Sequence, residues 1–122
     1  MTFEEFNQFC GSFAASTHVI QWGNSHVWKV GGKVFAIGSQ HNTKQPAYTF
    51  KTSPLNFEFL SDHQGYKPAP YLASRGFKWI QQVDSSDERS EELEYYLTES
   101  YRLVVSGLSK VKRKALGLEG MD

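Results

Sequence analysis

Residues 26–39 constrain the fold of this chain more than any other stretch. His26-Val27-Trp28-Lys29-Val30 alternates, setting Trp28 and Val30 on one face of a strand and Val27 and Lys29 on the other. Gly31-Gly32 follows, two residues that accept the positive φ of a tight hairpin. Lys33 to Ser39, with Val34-Phe35-Ala36-Ile37 inside it, is the return strand. The chain is thereby committed to antiparallel β structure, and a lone hairpin is marginal without further strands and a covering layer.

Those additions are legible on both sides. The polar stretch Gln40 to Gln45 reads as a second, longer connection. Pro46 opens a third strand, Ala47 to Lys51, at the position where a missing N–H does least harm. Phe77 to Val83 alternates again, with Phe77, Trp79, Gln81 and Val83 against Lys78, Ile80 and Gln82, and predicts a fourth strand. Before the hairpin, Thr2 and Glu5 have the spacing of a capping box, and Phe6, Phe9, Cys10 and Phe13 form the apolar stripe of a first helix. Ala14 to Ser25 is read as a loop.

Ser53-Pro54 starts a second helix, running to about His63. Gly65 to Pro70 is turn-rich, and Ala69 to Ser74 predicts a short helix that Gly76 ends. After the polar connection Asp84 to Arg89, Ser90 is placed as the cap of the last long helix. Its stripe is Leu93, Tyr96, Leu97, Ser100, Tyr101, Val104 and Leu108. Ser109 caps a short terminal helix carrying Lys110, Lys112, Arg113 and Lys114. The order α-β-β-β-α-β-α predicts an α+β fold: a mostly antiparallel sheet meander with helices packed on one side.

At 122 residues the chain suits one domain, residues 1–122. A single cysteine excludes a disulfide framework or a Cys-rich zinc site. Met1 to Gly11 carries no basic leader of a secretory signal, and no apolar run is long enough to span a bilayer, so a cytoplasmic protein without membrane contact is expected.

The formal net charge of zero excludes binding of polyanions by bulk positive charge, yet it conceals a segregated distribution. From His26 to Gln82, seven basic residues (Lys29, Lys33, Lys44, Lys51, Lys67, Arg75 and Lys78) meet only Glu58 and Asp62. From Asp84 to Glu99, seven acids meet Arg89 alone, and from Arg102 to Lys114 five basic residues meet no acid. The last two runs complement a helix macrodipole and read as solvated faces. Lys33 and Lys44 fall at hairpin tips, where projecting loops approach a phosphate backbone closely.

Catalytic motifs are missing. His18, His26, His41 and His63 are scattered, with no H-x-H, H-E-x-x-H or C-x-x-C pattern. Gly31-Gly32-Lys33 is followed by Val34, where a phosphate loop needs serine or threonine. Cys10 lies on an apolar helical stripe, the setting of an inert thiol. Acids at the start of the last long helix point in different directions, unlike the convergent ligands of a tight cation site. The sequence therefore predicts no enzyme, no cofactor and no metal. Trp28, Trp79, Tyr48, Phe50 and Phe77 are read as core or cross-strand partners. Tyr66 and Tyr71, in a turn-rich segment, are read as partly open.

Taken in order, Trp28-Lys29-Val30, Val34-Phe35-Ala36, Phe50-Lys51-Thr52-Ser53-Pro54, Tyr66-Lys67-Pro68-Ala69-Pro70-Tyr71-Leu72, Gly76-Phe77-Lys78-Trp79 and Ser100-Tyr101 resemble the MmcQ/YjbR family over roughly Phe6 to Leu116. The resemblance implies a small bacterial cytosolic protein of the CyaY/YjbR-like fold. It also implies a non-enzymatic DNA-binding protein whose two hairpins act as wings. On that expectation Lys33 and Lys44 at the wings, Lys29, Lys51 and Lys78 on the sheet, and Lys67 and Arg75 beside it meet phosphates of DNA, held weakly or without sequence preference by a monomer. The alternatives are a protein-interaction module that does not bind nucleic acid, using Tyr66 and Tyr71, and frataxin-like metal handling through the acidic helix.

Overall fold

The computed structural model describes residues 1–40, 45–70 and 72–120. Among these residues four α-helices and six strands follow the order α1 (Phe3–Gly11), β1 (Ser16–Gln21), β2 (Ser25–Val30), β3 (Lys33–Ser39), β4 (Ala47–Lys51), α2 (Pro54–Ser61), β5 (Tyr66–Pro68), β6 (Trp79–Gln82), α3 (Ser90–Ser106) and α4 (Lys110–Ala115). The strands form one antiparallel sheet in the order β1-β2-β3-β4-β6-β5. The α+β class, the hairpin at Gly31-Gly32 and the helices on one side all stand as the sequence predicts.

Two strands were not predicted, and both are edges. Ser16–Gln21 lies inside the segment read as a loop, and pairs with β2 from Ser16↔Val30 to Gln21↔Ser25. Tyr66–Pro68 lies inside the segment read as turn, and pairs with β6. An edge strand satisfies half its backbone groups with solvent, so it needs neither a buried face nor a continuous donor row, and Pro68 is tolerated there. Ser90 is not a cap. A 3-10 turn over Asp87–Arg89 runs directly into α3, so the chain is already helical at Ser90, and no side chain caps the junction. The other caps stand: Thr2 and Glu5 form the reciprocal box, Ser53 accepts from the Asn56 N–H, and Ser109 accepts from the Lys112 N–H. A 3-10 turn over Ala73–Arg75 ends at a left-handed Gly76.

A single core fills the space between sheet and helices. Phe6 and Cys10 of α1, Leu60 of α2, and Leu93, Leu97, Tyr101, Val104 and Val105 of α3 meet Trp28, Val30, Phe35, Ala36, Tyr48, Phe50 and Ile80 of the sheet. Gly38 admits α1 to the sheet, since a Cβ there would lie 2.8 Å from Phe6 Cε2. Between Trp28↔Ala36 and Lys29↔Val34 the register shifts, so Phe35 is an extra residue, a β-bulge. The buried Ser100 hydroxyl repairs the ladder at that point. It donates to the Phe35 carbonyl at 2.6 Å and accepts from the Lys51 N–H at 2.8 Å.

Candidate functional site

Because strand side chains alternate, the sheet has a second face, and among the described residues no α-helix contributes to the cleft it carries. Residues directly opposite across a strand pair share a face, which assigns the lysines. Lys29 pairs with Val34, Lys51 with Trp79, and Lys67 with Gln81. Val34, Trp79 and Gln81 all line a cleft on the open face, so Lys29, Lys51 and Lys67 project from that face too. Arg75, on the segment that closes one side, lines the cleft directly. Among the described residues no strand residue is acidic. The described carboxylates sit instead on the helices and their connections, together with the basic residues of α3 and α4, so the sheet is the layer that holds positive charge without acids.

The cleft encloses about 930 Å³. Its floor is Val34, Ile37 and Ser39 of β3, Thr49 of β4, and Trp79 and Gln81 of β6. One wall is the β1–β2 turn with Trp22; the other is the segment bearing Pro70, Leu72, Arg75 and Phe77. Trp22 is 58% exposed and Phe77 53%. Trp22 has φ +53°, and with Gly23 and Asn24 makes a run of three left-handed residues. A bulky residue in that region is a steric outlier, costing about 1–2 kcal/mol. On the floor, Gln81 Nε2 donates to Thr49 Oγ1 at 3.1 Å, which leaves the Gln81 carbonyl oxygen and its second N–H for a ligand.

Two predicted contact residues stand apart from this group. Lys78 alternates with Trp79 onto the covered side, where its Nζ lies 4.8 Å from the centre of the Phe57 ring of α2. Lys33 pairs with the buried Val30 and sits at the hairpin tip rather than on the open face. The tip packs on the chain around α4: a Cβ at Gly31 would lie 2.8 Å from Leu108, and one at Gly32 would lie 3.9 Å from Lys112 Nζ. Lys44 and Tyr71 lie outside the described residues. Trp22 was missed because its segment was read as loop, while Trp79 and Phe77 were assigned to the core although they flank the open cleft.

The sequence profile of the YjbR family matches residues 11–103. The chain belongs to the YjbR family. Its fold is similar to the crystal structure of Deinococcus radiodurans protein DR2400, whose domain is designated DUF419. That match has a TM-score of 0.79 and 25% identity, and covers 99% of this chain and 94% of the other. A solved protein from Pseudomonas syringae shares the fold at a TM-score of 0.67 and 15% identity, over 84% of this chain and 98% of that one. No curated protein matches the sequence.

Several residues of the YjbR-like pattern have structural duties. Ser100 bridges the bulge, and the Tyr101 hydroxyl donates to the Ala14 carbonyl at 2.6 Å. Tyr66 is buried, not open as predicted. Its hydroxyl donates to Glu92 at 2.6 Å and accepts from Gln82 Nε2 at 3.1 Å. Burial and the Glu92 contact push the phenol well above its ordinary range. Arg89 ties Asp84 and Glu92 into the same network at 3.0 and 3.2 Å. Hydrogen bonds from Ser86, and then Arg89, hold the Asp84 carboxyl below its usual range. These acids serve the junction into α3, and among the described residues no three His, Cys, Asp or Glu side chains converge as metal ligands. The Cys10 thiol is fully buried, and burial raises it far from reactivity. Among the described residues no helix is long and apolar enough to cross a membrane.

Proposed function

We propose that this YjbR-family protein is a non-enzymatic DNA-binding protein that holds the phosphate backbone against the uncovered face of its sheet. The observation that carries the reading is the shared placement of Lys29, Lys51, Lys67 and Arg75 on and beside a sheet whose described strands carry no acidic residue. A net charge of zero is compatible with this, because a phosphate responds to charges within a Debye length of about 8–10 Å, not to the total. The acids of the helical layer lie behind the sheet. Lys33 at the hairpin tip, with α4 beside it, extends the basic rim. The double-wing description implied by the family resemblance points to the same ligand, with the contact surface moved from the tips toward the sheet between them. Contacts of this kind position a nucleic acid without reading its sequence.

Fluorescence anisotropy of labelled DNA at about 20 and about 150 mM salt tests the reading. Engagement of four cations predicts a log–log salt slope of about −3.6 on duplex DNA and about −2.8 on a single strand. The triple reversal Lys29→Glu, Lys51→Glu, Lys67→Glu should abolish binding, and Glu91→Lys on α3 should not weaken it. Absence of binding at the lower salt, or unchanged affinity of the triple variant, would overturn the reading.

A further inference from the structure

The cleft is far more apolar than phosphate contacts require. Lysines and Arg75 need only a solvated surface to meet a backbone, yet between them lies a trough floored by Val34 and Ile37 and walled by Trp22, Leu72 and Phe77. Its floor runs from Ser25 of β2 to Gln81 of β6, three strand spacings or about 14 Å. Such width exceeds one flat ring and suits a length of unpaired strand lying across the sheet. Both walls present aromatic rings that are more than half exposed, and one of them, Trp22, is held in a strained left-handed backbone. Strain of that kind persists where the surrounding structure enforces it, and it gathers at binding sites. Here the Ser25 hydroxyl donates to the Trp22 carbonyl at 3.2 Å and pins the turn.

We propose that this cleft receives unstacked bases, so that the protein binds single-stranded nucleic acid in preference to duplex. The proposal rests on the DNA-binding reading above and adds the form of the ligand. A duplex keeps its base faces stacked inward and offers a sheet only phosphates and groove edges, which cannot fill an apolar trough. An unpaired strand offers both parts at once: phosphates for Lys29, Lys51, Lys67 and Arg75, and base faces for Trp22, Phe77 and Trp79. An open antiparallel sheet with exposed rings is a general platform for splayed bases. On the floor, Gln81, Thr49 and Ser39 supply donors and acceptors for base edges without a convergent geometry that would select one base.

The test uses the intact protein and three probes of one length, about 16 nucleotides: a mixed-sequence single strand, the same sequence as duplex, and an abasic strand that keeps the sugar–phosphate chain but has no bases. The single strand should bind about tenfold or more tightly than either of the others at the same salt. Trp22→Ala and Trp79→Ala should each lower single-strand affinity about tenfold and leave duplex and abasic affinity unchanged, while Trp22→Phe retains most of it. Quenching of tryptophan emission by the single strand alone is expected alongside. If the abasic strand or the duplex binds as well as the single strand, base insertion is wrong and the phosphate reading stands. If none of the three binds, both fall together.

Discussion

The two faces of the sheet are built from alternating residues of the same strands, yet they obey different rules. On the covered face Phe35, Ala36, Tyr48, Phe50 and Ile80 are wholly excluded from water, and polar groups there are satisfied, Ser100 and Gln82 included. On the open face Val34, Ile37 and Trp79 are only half-buried, and Trp22 and Phe77 stand in solvent. Val27 is fully buried on this face but outside the main core cluster, and the small polar residues Ser25, Ser39 and Thr49 of the cleft are buried as well. The main core cluster contains none of the open-face side chains, so its packing does not account for them. The basic residues on that face complete the contrast, since the helical layer carries the acids. One sheet serves as a wall of the core on one side and as a surface for a ligand on the other.

The largest effect that would break this contrast is in stability. Phe50→Ala removes a fully buried ring from the core and should cost about 3–5 kcal/mol in chemical denaturation. Ile37→Thr, one strand away on the open face, should cost less than about 1.5 kcal/mol. Comparable losses would mean that the open face is structural core as well.

A smaller loss is expected at the bulge. Ser100→Ala would leave the Phe35 carbonyl and the Lys51 N–H without the hydroxyl that joins them, at a cost of about 1–3 kcal/mol. Because Lys51 belongs to the open face, this variant also sharpens the comparison. Its DNA affinity, measured where it remains folded, should fall by less than that of Lys51→Glu. An equal fall would mean that backbone register, not the Lys51 charge, is what the open face requires.

Much of the covered layer was legible, because its signals are local. Thr2 with Glu5, Ser53 with Pro54, and Ser109 announce helix starts, and Gly31-Gly32 announces the hairpin whose left-handed turn it supplies. The alternation of Phe77 to Val83 also separates Lys78 from Trp79, so the departure of Lys78 from the basic group could have been read in advance. The edge strands could not. Ser16–Gln21 mixes polar and apolar residues on both faces because neither is deeply buried, and Tyr66–Pro68 is three residues long with a proline. The cleft was hidden for a different reason. Trp22, Thr49 and Trp79 lie more than 25 residues apart in the chain and meet only through the strand order β1-β2-β3-β4-β6-β5, which no short motif encodes.

The smallest expected effect lies at the border where the helical cover ends. His26 sits beneath α1, with its ring centre 5.0 Å from that of Phe3. Trp28 Nε1 donates to Asn7 Oδ1 at 2.8 Å, which turns the Asn7 amide nitrogen toward His26 Nδ1 at 3.3 Å. His18 Nε2 approaches the same Nδ1 at 3.2 Å. With the Asn7 amide N–H aimed at it, Nδ1 keeps its lone pair, so the neutral ring fits this network and the cation does not. Burial, and then the charge of His18, lower the proton affinity of His26 in the folded protein. The unfolded chain therefore binds the proton more readily. The stabilising contribution is fully present above the ordinary histidine value of about 6.5 and is lost as pH falls through the lower folded value. Denaturation midpoints should drop between about pH 7.5 and about pH 5.5, above the range where Glu5 and Asp84 titrate. His26→Gln, whose amide oxygen can accept from the same Asn7 N–H and does not titrate, should flatten that drop. An unchanged slope in the variant would move the origin of the pH dependence away from this border. DNA binding offers the complementary readout: the network lies on the covered side, so His26→Gln should leave affinity at neutral pH unaltered, whereas Trp79→Ala should leave the pH slope of stability unaltered.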